Sequence, residues 1–177
     1  MVTLRKLNTI SPEFLAWVLD RDSTHLRRLV LTNNCLPDAG EEYTLHHALK
    51  FLRLHNKSLS PTARRSKFRL PAAALAIARN YKATTGTELV VLFNEIADWY
   101  IDHAEFILNK SRPGGQMLGA QLLIHRFDRY SWRCLQVIAE ACNASACAVL
   151  RHAFYLWMEA LNNGEVEEPA TGPADGG

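Results

Sequence analysis

Apolar residues recur at helical spacing along most of the chain, and Ser, Asn, Gly and Pro cut that pattern into segments. Ser11-Pro12-Glu13 reads as a helix start. Ser can cap, Pro suits the first helical position, and Glu favours the positive end of the helix dipole. The helix through Leu15, Val18 and Leu19 is expected to end near Asp22. Ser23 then caps a second helix carrying Leu26, Leu29, Val30 and Leu31, which ends at Asn33-Asn34. A turn from Cys35 to Gly40 precedes a third helix, expected from about Glu41 to Asn56, with Leu45, Ala48, Leu49 and Leu52 on its apolar face.

The period changes after a polar linker at residues 57–63. From Lys67 to Leu70 basic and apolar residues alternate, the period of a strand, although the segment also fits the lead-in to a helix. Pro71 opens a helix carrying Leu75, Ala78 and Ala83, and Gly86 closes it. Thr87-Glu88 begins a long helix expected to reach about Lys110, broken by Arg112-Pro113-Gly114-Gly115. Met117 to Phe127 fits a short helix or a strand. Two apolar helices follow, about Arg129–Cys142 and Ala144–Asn162, separated at Asn143. The expected fold is mostly α, a bundle of about seven helices with one short ribbon strand near residues 65–70. Three regions follow from this reading: N-terminal helices at 1–60, a second helical region at 61–163, and an acidic tail at 164–177 with too few apolar residues to order itself.

The middle and last thirds share an arrangement at an offset of 57 residues: Leu70 corresponds to Phe127, Gly86 to Asn143, Leu92 to Val149 and Tyr100 to Trp157. Gly and Asn are the residues that best tolerate the left-handed conformation closing a helix. The stretch KFRLPAAALAIARNYKATTGTELVVLFNEIADWY resembles a ribbon-helix-helix DNA-binding module, and IHRFDRYSWRCLQVIAEACNASACAVLRHAFYLWMEAL is similar in its two helices. The resemblance places two tandem copies at about 64–105 and 122–160. It implies that two strands pair into an antiparallel ribbon that enters the major groove. Lys67 and Arg69 would then face base edges, while Phe68 and Leu70 anchor the ribbon to the helices. Two departures stand out: the first inter-helix turn is shorter than the family's usual one, and the second strand would put Ile124 and Arg126 outward and His125 inward.

The formal net charge of +2 favours no class of partner, but its distribution is uneven. Residues 61–112 hold eight basic and five acidic side chains, whereas residues 113–177 hold four and seven. Arg64, Arg65, Lys67 and Arg69 form the densest basic cluster, suited to phosphate and guanine acceptors, or equally to a solvated strand edge. Glu95, Asp98, Asp102 and Glu105 make an acidic stripe that reads as a solvated helix face, since no ExxH accompanies it. No His pair has ligand spacing, and no phosphate loop or nucleophile elbow is present. Cys35, Cys134, Cys142 and Cys147 lack zinc or redox spacing and read as reduced thiols. No cofactor or metal is expected.

Together these features point to a non-enzymatic nucleic-acid-binding protein, with duplex DNA ahead of RNA, acting as a regulator or accessory factor. Contact is expected through Arg64, Arg65, Lys67 and Arg69, with Arg126 and Arg129 as secondary candidates. Self-association as a homodimer or assembly into a larger complex fits the apolar helix around Phe154–Met158. The absence of a long apolar run leads to a cytoplasmic expectation with no membrane partner. The alternative is a helical small subunit of a larger ribonucleoprotein or protein complex, acting through docking and backbone contacts.

Overall fold

The computed structural model describes residues 4–19, 27–28, 30–31, 36–55, 64–114 and 120–167. Among them the chain is mostly helical, with a single pair of antiparallel strands. In chain order the elements are α1 (Pro12–Val18), α2 (Leu45–His55), β1 (Arg64–Pro71), α3 (Ala72–Thr85), α4 (Leu89–Asp102), α5 (Ala104–Leu108), β2 (Ala120–Phe127), α6 (Arg129–Cys142) and α7 (Ala146–Asn162). The expected helix between Ser23 and Asn33 falls mostly outside the described residues, although residues 27, 28, 30 and 31 are helical. So do the linker at 57–63 and the tail beyond residue 167.

Local chemistry accounts for the helix ends. Ser11 caps α1, its hydroxyl accepting from the Phe14 amide at 3.1 Å, and Pro12 occupies the first turn. The third helix starts at Leu45 rather than near Glu41, because Tyr43 exchanges two backbone hydrogen bonds with Ile10 (2.7 and 2.8 Å) and so cannot be helical. Asp38 fixes the turn before it, accepting from the Thr44 amide at 2.9 Å and the Thr44 hydroxyl at 2.7 Å. Burial pulls the Asp38 carboxyl upward, but the bonds from Thr44 and His47 outweigh it and hold the group well below the usual carboxylate range.

The long helix expected from Thr87 to Lys110 is interrupted. His103 leaves the helical region (φ −107°, ψ 8°), and its Nδ1 lies 2.8 Å from the Trp99 carbonyl, so α4 and α5 are separate. The last helix starts at Ala146, two residues later than expected, because the Ser145 hydroxyl takes the capping position and accepts from the Ala148 amide at 3.1 Å. The acidic tail is expected to start at residue 164, yet Gly164 adopts a positive φ of 71° and helps close α7, with the Glu165 amide bonding the Ala160 carbonyl at 2.9 Å.

The two halves of the second region correspond element by element. Helices α3 and α6 are each 14 residues long and begin 57 residues apart, at Ala72 and Arg129. Helices α4 and α7 begin 57 apart as well, at Leu89 and Ala146. Gly86 (φ 75°) and Asn143 (φ 52°), also 57 apart, both close their helix in the left-handed conformation. Leu70, Leu92 and Tyr100 are fully buried, as are Phe127 and Val149, and Trp157 is 1% exposed. Between the halves α4 packs on α7, with Phe93 stacked on Phe154 at 5.9 Å between centroids, and α3 meets α7 where Tyr81 lies edge-on to Trp157 at 5.8 Å. Helices α1 and α2 pack on α6.

Candidate nucleic-acid interface

The basic cluster lies on β1, and the partner of β1 is β2 of the same chain. The ribbon is antiparallel, with Arg65 opposite Arg126, Lys67 opposite Ile124 and Arg69 opposite Leu122. Lys67 and Ile124 are 57 residues apart, so the pairing is centred on a pair of equivalent positions and relates the two halves by an approximate two-fold axis. The segment left open between helix and strand at Met117–Phe127 is therefore a strand over Ala120–Phe127.

Strand alternation puts residues 64, 66, 68 and 70 with 121, 123, 125 and 127 on one face, and residues 65, 67 and 69 with 122, 124 and 126 on the other. On the inner one Phe68, Leu70 and Phe127 are each fully buried. Phe68 meets the Phe127 ring edge-on at 4.9 Å between centroids and the Trp132 ring at 5.5 Å. Fully burying such a side chain stabilises by about 1.5–3 kcal/mol, so the inner face is the ribbon's anchor. Arg69 and Arg126 are exposed. Residues 65, 67 and 69 share one register parity, and Arg126 lies directly across from Arg65. These positions bring together four of the six candidate residues. Arg64 has the other parity, opposite Phe127, and Arg129 is the first residue of α6, half-buried and beyond the strand.

The frame beneath the ribbon is stiffened by contacts that short motifs did not reveal. Asp128, directly after β2, caps α6 by accepting from the amides of Tyr130 (2.8 Å) and Ser131 (3.3 Å). The buried Ser131 hydroxyl lies 2.6 Å from both Asp128 and Asp98 of α4. One hydroxyl can donate only one hydrogen, so the second contact is complete only when a carboxyl carries a proton. Burial raises the Asp98 carboxyl and the Ser131 hydrogen bond opposes that rise, while Asp128 also accepts two amides. Asn94 of α4 donates to the Arg126 carbonyl at 3.3 Å and ties β2 to the same helix. Asp128 before an apolar helix was a legible cap signal; the Asp98 and Asn94 contacts are long-range and left no local trace.

Two of the four residues of the acidic stripe on α4 and α5 meet α2. Asp102 lies 3.6 Å from Arg53 and Glu105 lies 2.6 Å from His46, both pairs well exposed. Its expected role as a wholly solvated face is thus only part of its use, though exposed pairs of this kind contribute little stability. Among the described residues no group of three or more His, Cys, Asp or Glu could hold a metal ion, and no helix is long and apolar enough to cross a membrane. Cys134 is buried, and burial pushes its thiol up to about 12; burial likewise pushes the Cys142 thiol up to about 11. Neither is a ready nucleophile near neutral pH.

The chain matches no protein-family model, no curated protein sequence and no solved structure.

Proposed function

We propose that the protein binds duplex DNA through the β1–β2 ribbon, as a non-enzymatic regulator or accessory factor. The observation that carries this reading is the two-faced ribbon: Phe68, Leu70 and Phe127 seat one side in the core, and Arg65, Lys67, Arg69 and Arg126 share the other register face, with Leu122 and Ile124 between them. A two-stranded ribbon matches the width of the major groove, and Arg and Lys match the acceptors on guanine. The resemblance to ribbon-helix-helix modules supports the same reading, with one difference in assembly. Both strands come from one chain, so a monomer carries the whole ribbon and needs no second copy to form it.

The test is fluorescence anisotropy of a labelled duplex across a salt series, with a single-stranded RNA probe beside it. Binding should weaken steeply with salt, because each phosphate neutralised adds about 0.9 to the log–log slope. Lys67→Ala combined with Arg69→Ala should abolish duplex binding while circular dichroism stays unchanged. Undiminished binding in that double variant sinks the proposal. Absence of binding to either probe shifts the reading to a helical subunit that docks onto protein.

A further inference from the structure

A second cationic site lies at the far end of α6 from the ribbon. The N-terminal segment runs past the end of this helix: the Asn8 amide donates to the Ala141 carbonyl at 2.7 Å, and the Asn8 side chain reaches the Glu140 carbonyl at 3.5 Å. Between this segment, the end of α6 and the loop after α5 lies a cavity of about 370 Å³. Its charged lining residues are Arg5, Lys6 and Arg112, and no Asp or Glu among the described residues lines it. Two further cavities mix signs: Lys110 with Glu159 and Glu165 in one, Arg27 with Glu13 and Glu41 in the other. At 14 residues, α6 separates this cleft from the ribbon by about 20 Å.

The walls are held by hydrogen bonds, and among the described residues none of the three cations pairs with a carboxylate. Arg112 donates through Nη2 to the Arg5 carbonyl at 3.3 Å, and its buried Nη1 has no hydrogen-bond partner among the described residues. The Ser111 hydroxyl lies 2.7 Å from Nε2 of His152, and Arg151 donates to the Gly114 carbonyl, so the loop carrying Arg112 is pinned on both sides. The Arg112 charge also reaches the Cys142 thiol on the cavity wall, where it opposes the upward pull of burial. Arg5, Lys6 and Arg112 line one cleft beside the negative C-terminal end of α6, which offsets part of their mutual repulsion, and a multivalent anion offsets the rest. Leu4, Leu7, Pro113 and Ala141 add apolar wall, and the volume exceeds what a bare phosphate fills.

We infer that this cleft binds a small phosphorylated ligand, its phosphate held by Arg5, Lys6 and Arg112 and its organic part against the apolar wall. The inference stands apart from the DNA-binding proposal, because the cleft and the ribbon share no residue.

The test is calorimetric titration of the full chain with adenosine monophosphate, inorganic phosphate and adenosine. Binding of the monophosphate, weaker binding of phosphate and none of adenosine is expected. Arg112→Gln should weaken monophosphate binding by about tenfold or more, the scale of one lost charge-assisted hydrogen-bond set. Lys6→Gln, on an exposed side chain, keeps the test open if the Arg112 variant fails to fold, and should weaken binding severalfold. The Lys67/Arg69 double variant should bind the monophosphate as the parent does, which separates this cleft from any phosphate affinity of the ribbon. Three outcomes each overturn the inference: no binding of monophosphate or phosphate, unchanged affinity in the Lys6 variant, or loss of monophosphate binding in the ribbon variant.

Discussion

The halves β1–α3–α4 and β2–α6–α7 have the same skeleton and different surroundings. Helix α3 packs on the ribbon, α4 and α7, while its equivalent α6 is also covered by α1 and α2. The consequences appear at matched positions. Ala76 and Asn80 are exposed and Ile77 is 39% exposed, whereas their equivalents Arg133, Val137 and Cys134 are 3%, 0% and 0% exposed. The buried guanidinium of Arg133 reaches the Leu19 carbonyl beyond the end of α1 at 3.2 Å, a contact that α3 has no counterpart for at Ala76. The strands diverge in the opposite sense: β1 carries Arg64, Arg65, Lys67 and Arg69, while β2 carries Leu122, Leu123, Ile124 and the single Arg126. The second half carries the extra cover over its first helix, and the first half carries more of the ribbon's basic residues.

The sharpest way to break this comparison is to place the same carboxylate at equivalent sites. Val137→Asp buries an unpaired charge under the N-terminal helices and should cost more than about 4 kcal/mol, enough to prevent folding. Asn80→Asp, at the exposed equivalent, should stay within about 0.5 kcal/mol. Urea denaturation of both variants decides it, and similar losses would mean that α3 is covered as α6 is.

The next pair asks where the halves are alike. Leu70 and Phe127 are equivalent and both fully buried beneath the ribbon. Leu70→Ala should cost about 2–5 kcal/mol and Phe127→Ala about 3–5 kcal/mol in denaturant unfolding. A cost below about 1 kcal/mol at either site would show that this strand is not seated by its inner face.

The outer face gives a smaller and more selective effect. Arg69 and Arg126 are the one equivalent pair on that face that is Arg in both strands, and both are exposed. On the DNA-binding reading, Arg69→Ala and Arg126→Ala should each lower the salt slope of duplex binding by about 0.9 with little change in stability. A loss confined to Arg69 would place the contact on β1 alone.

How much of this was legible depended on the range of the interaction. Ser11-Pro12, Gly86 and Asn143 act through their own neighbours, and the helix limits they set hold in the structure. The alternation from Lys67 to Leu70 pointed to β1 because it runs along one strand, although so short a run also fitted the lead-in to a helix. β2 gave no such mark: Leu122, Leu123 and Ile124 are apolar in succession, and only pairing with a strand some 50 residues earlier makes the segment extended. The break at His103 was hidden because neither Gly nor Pro stands there. The cleft was invisible for a stronger reason: Arg5 and Lys6 lie more than 100 residues from Arg112, and no pattern links them.

The smallest effect tests a feature that one half has and the other lacks. Ser131 is equivalent to Ala74, and both are fully buried, but only Ser131 bridges two carboxylates, Asp98 and Asp128. Asp98 corresponds to Tyr155 in the second half, which is 41% exposed and brings no carboxyl. Burial raises the Asp98 carboxyl above its unfolded value of 3.8. Its proton is therefore held more tightly in the folded state. The stabilisation is fully present below the unfolded value and is lost as pH rises through the higher folded one. Asp98→Asn keeps a donor to the Ser131 oxygen at every pH. The variant should match the parent in acid and exceed it near neutrality. Because Asp98 is partly exposed, solvent screens the effect to under about 1 kcal/mol, or up to about 3 °C in Tm. Thermal melts of both proteins from pH 3 to 8 measure the difference directly. A gap that stays constant with pH, or one that widens in acid, would show that burial does not raise the Asp98 carboxyl and that the Ser131 hydroxyl serves it as an ordinary donor.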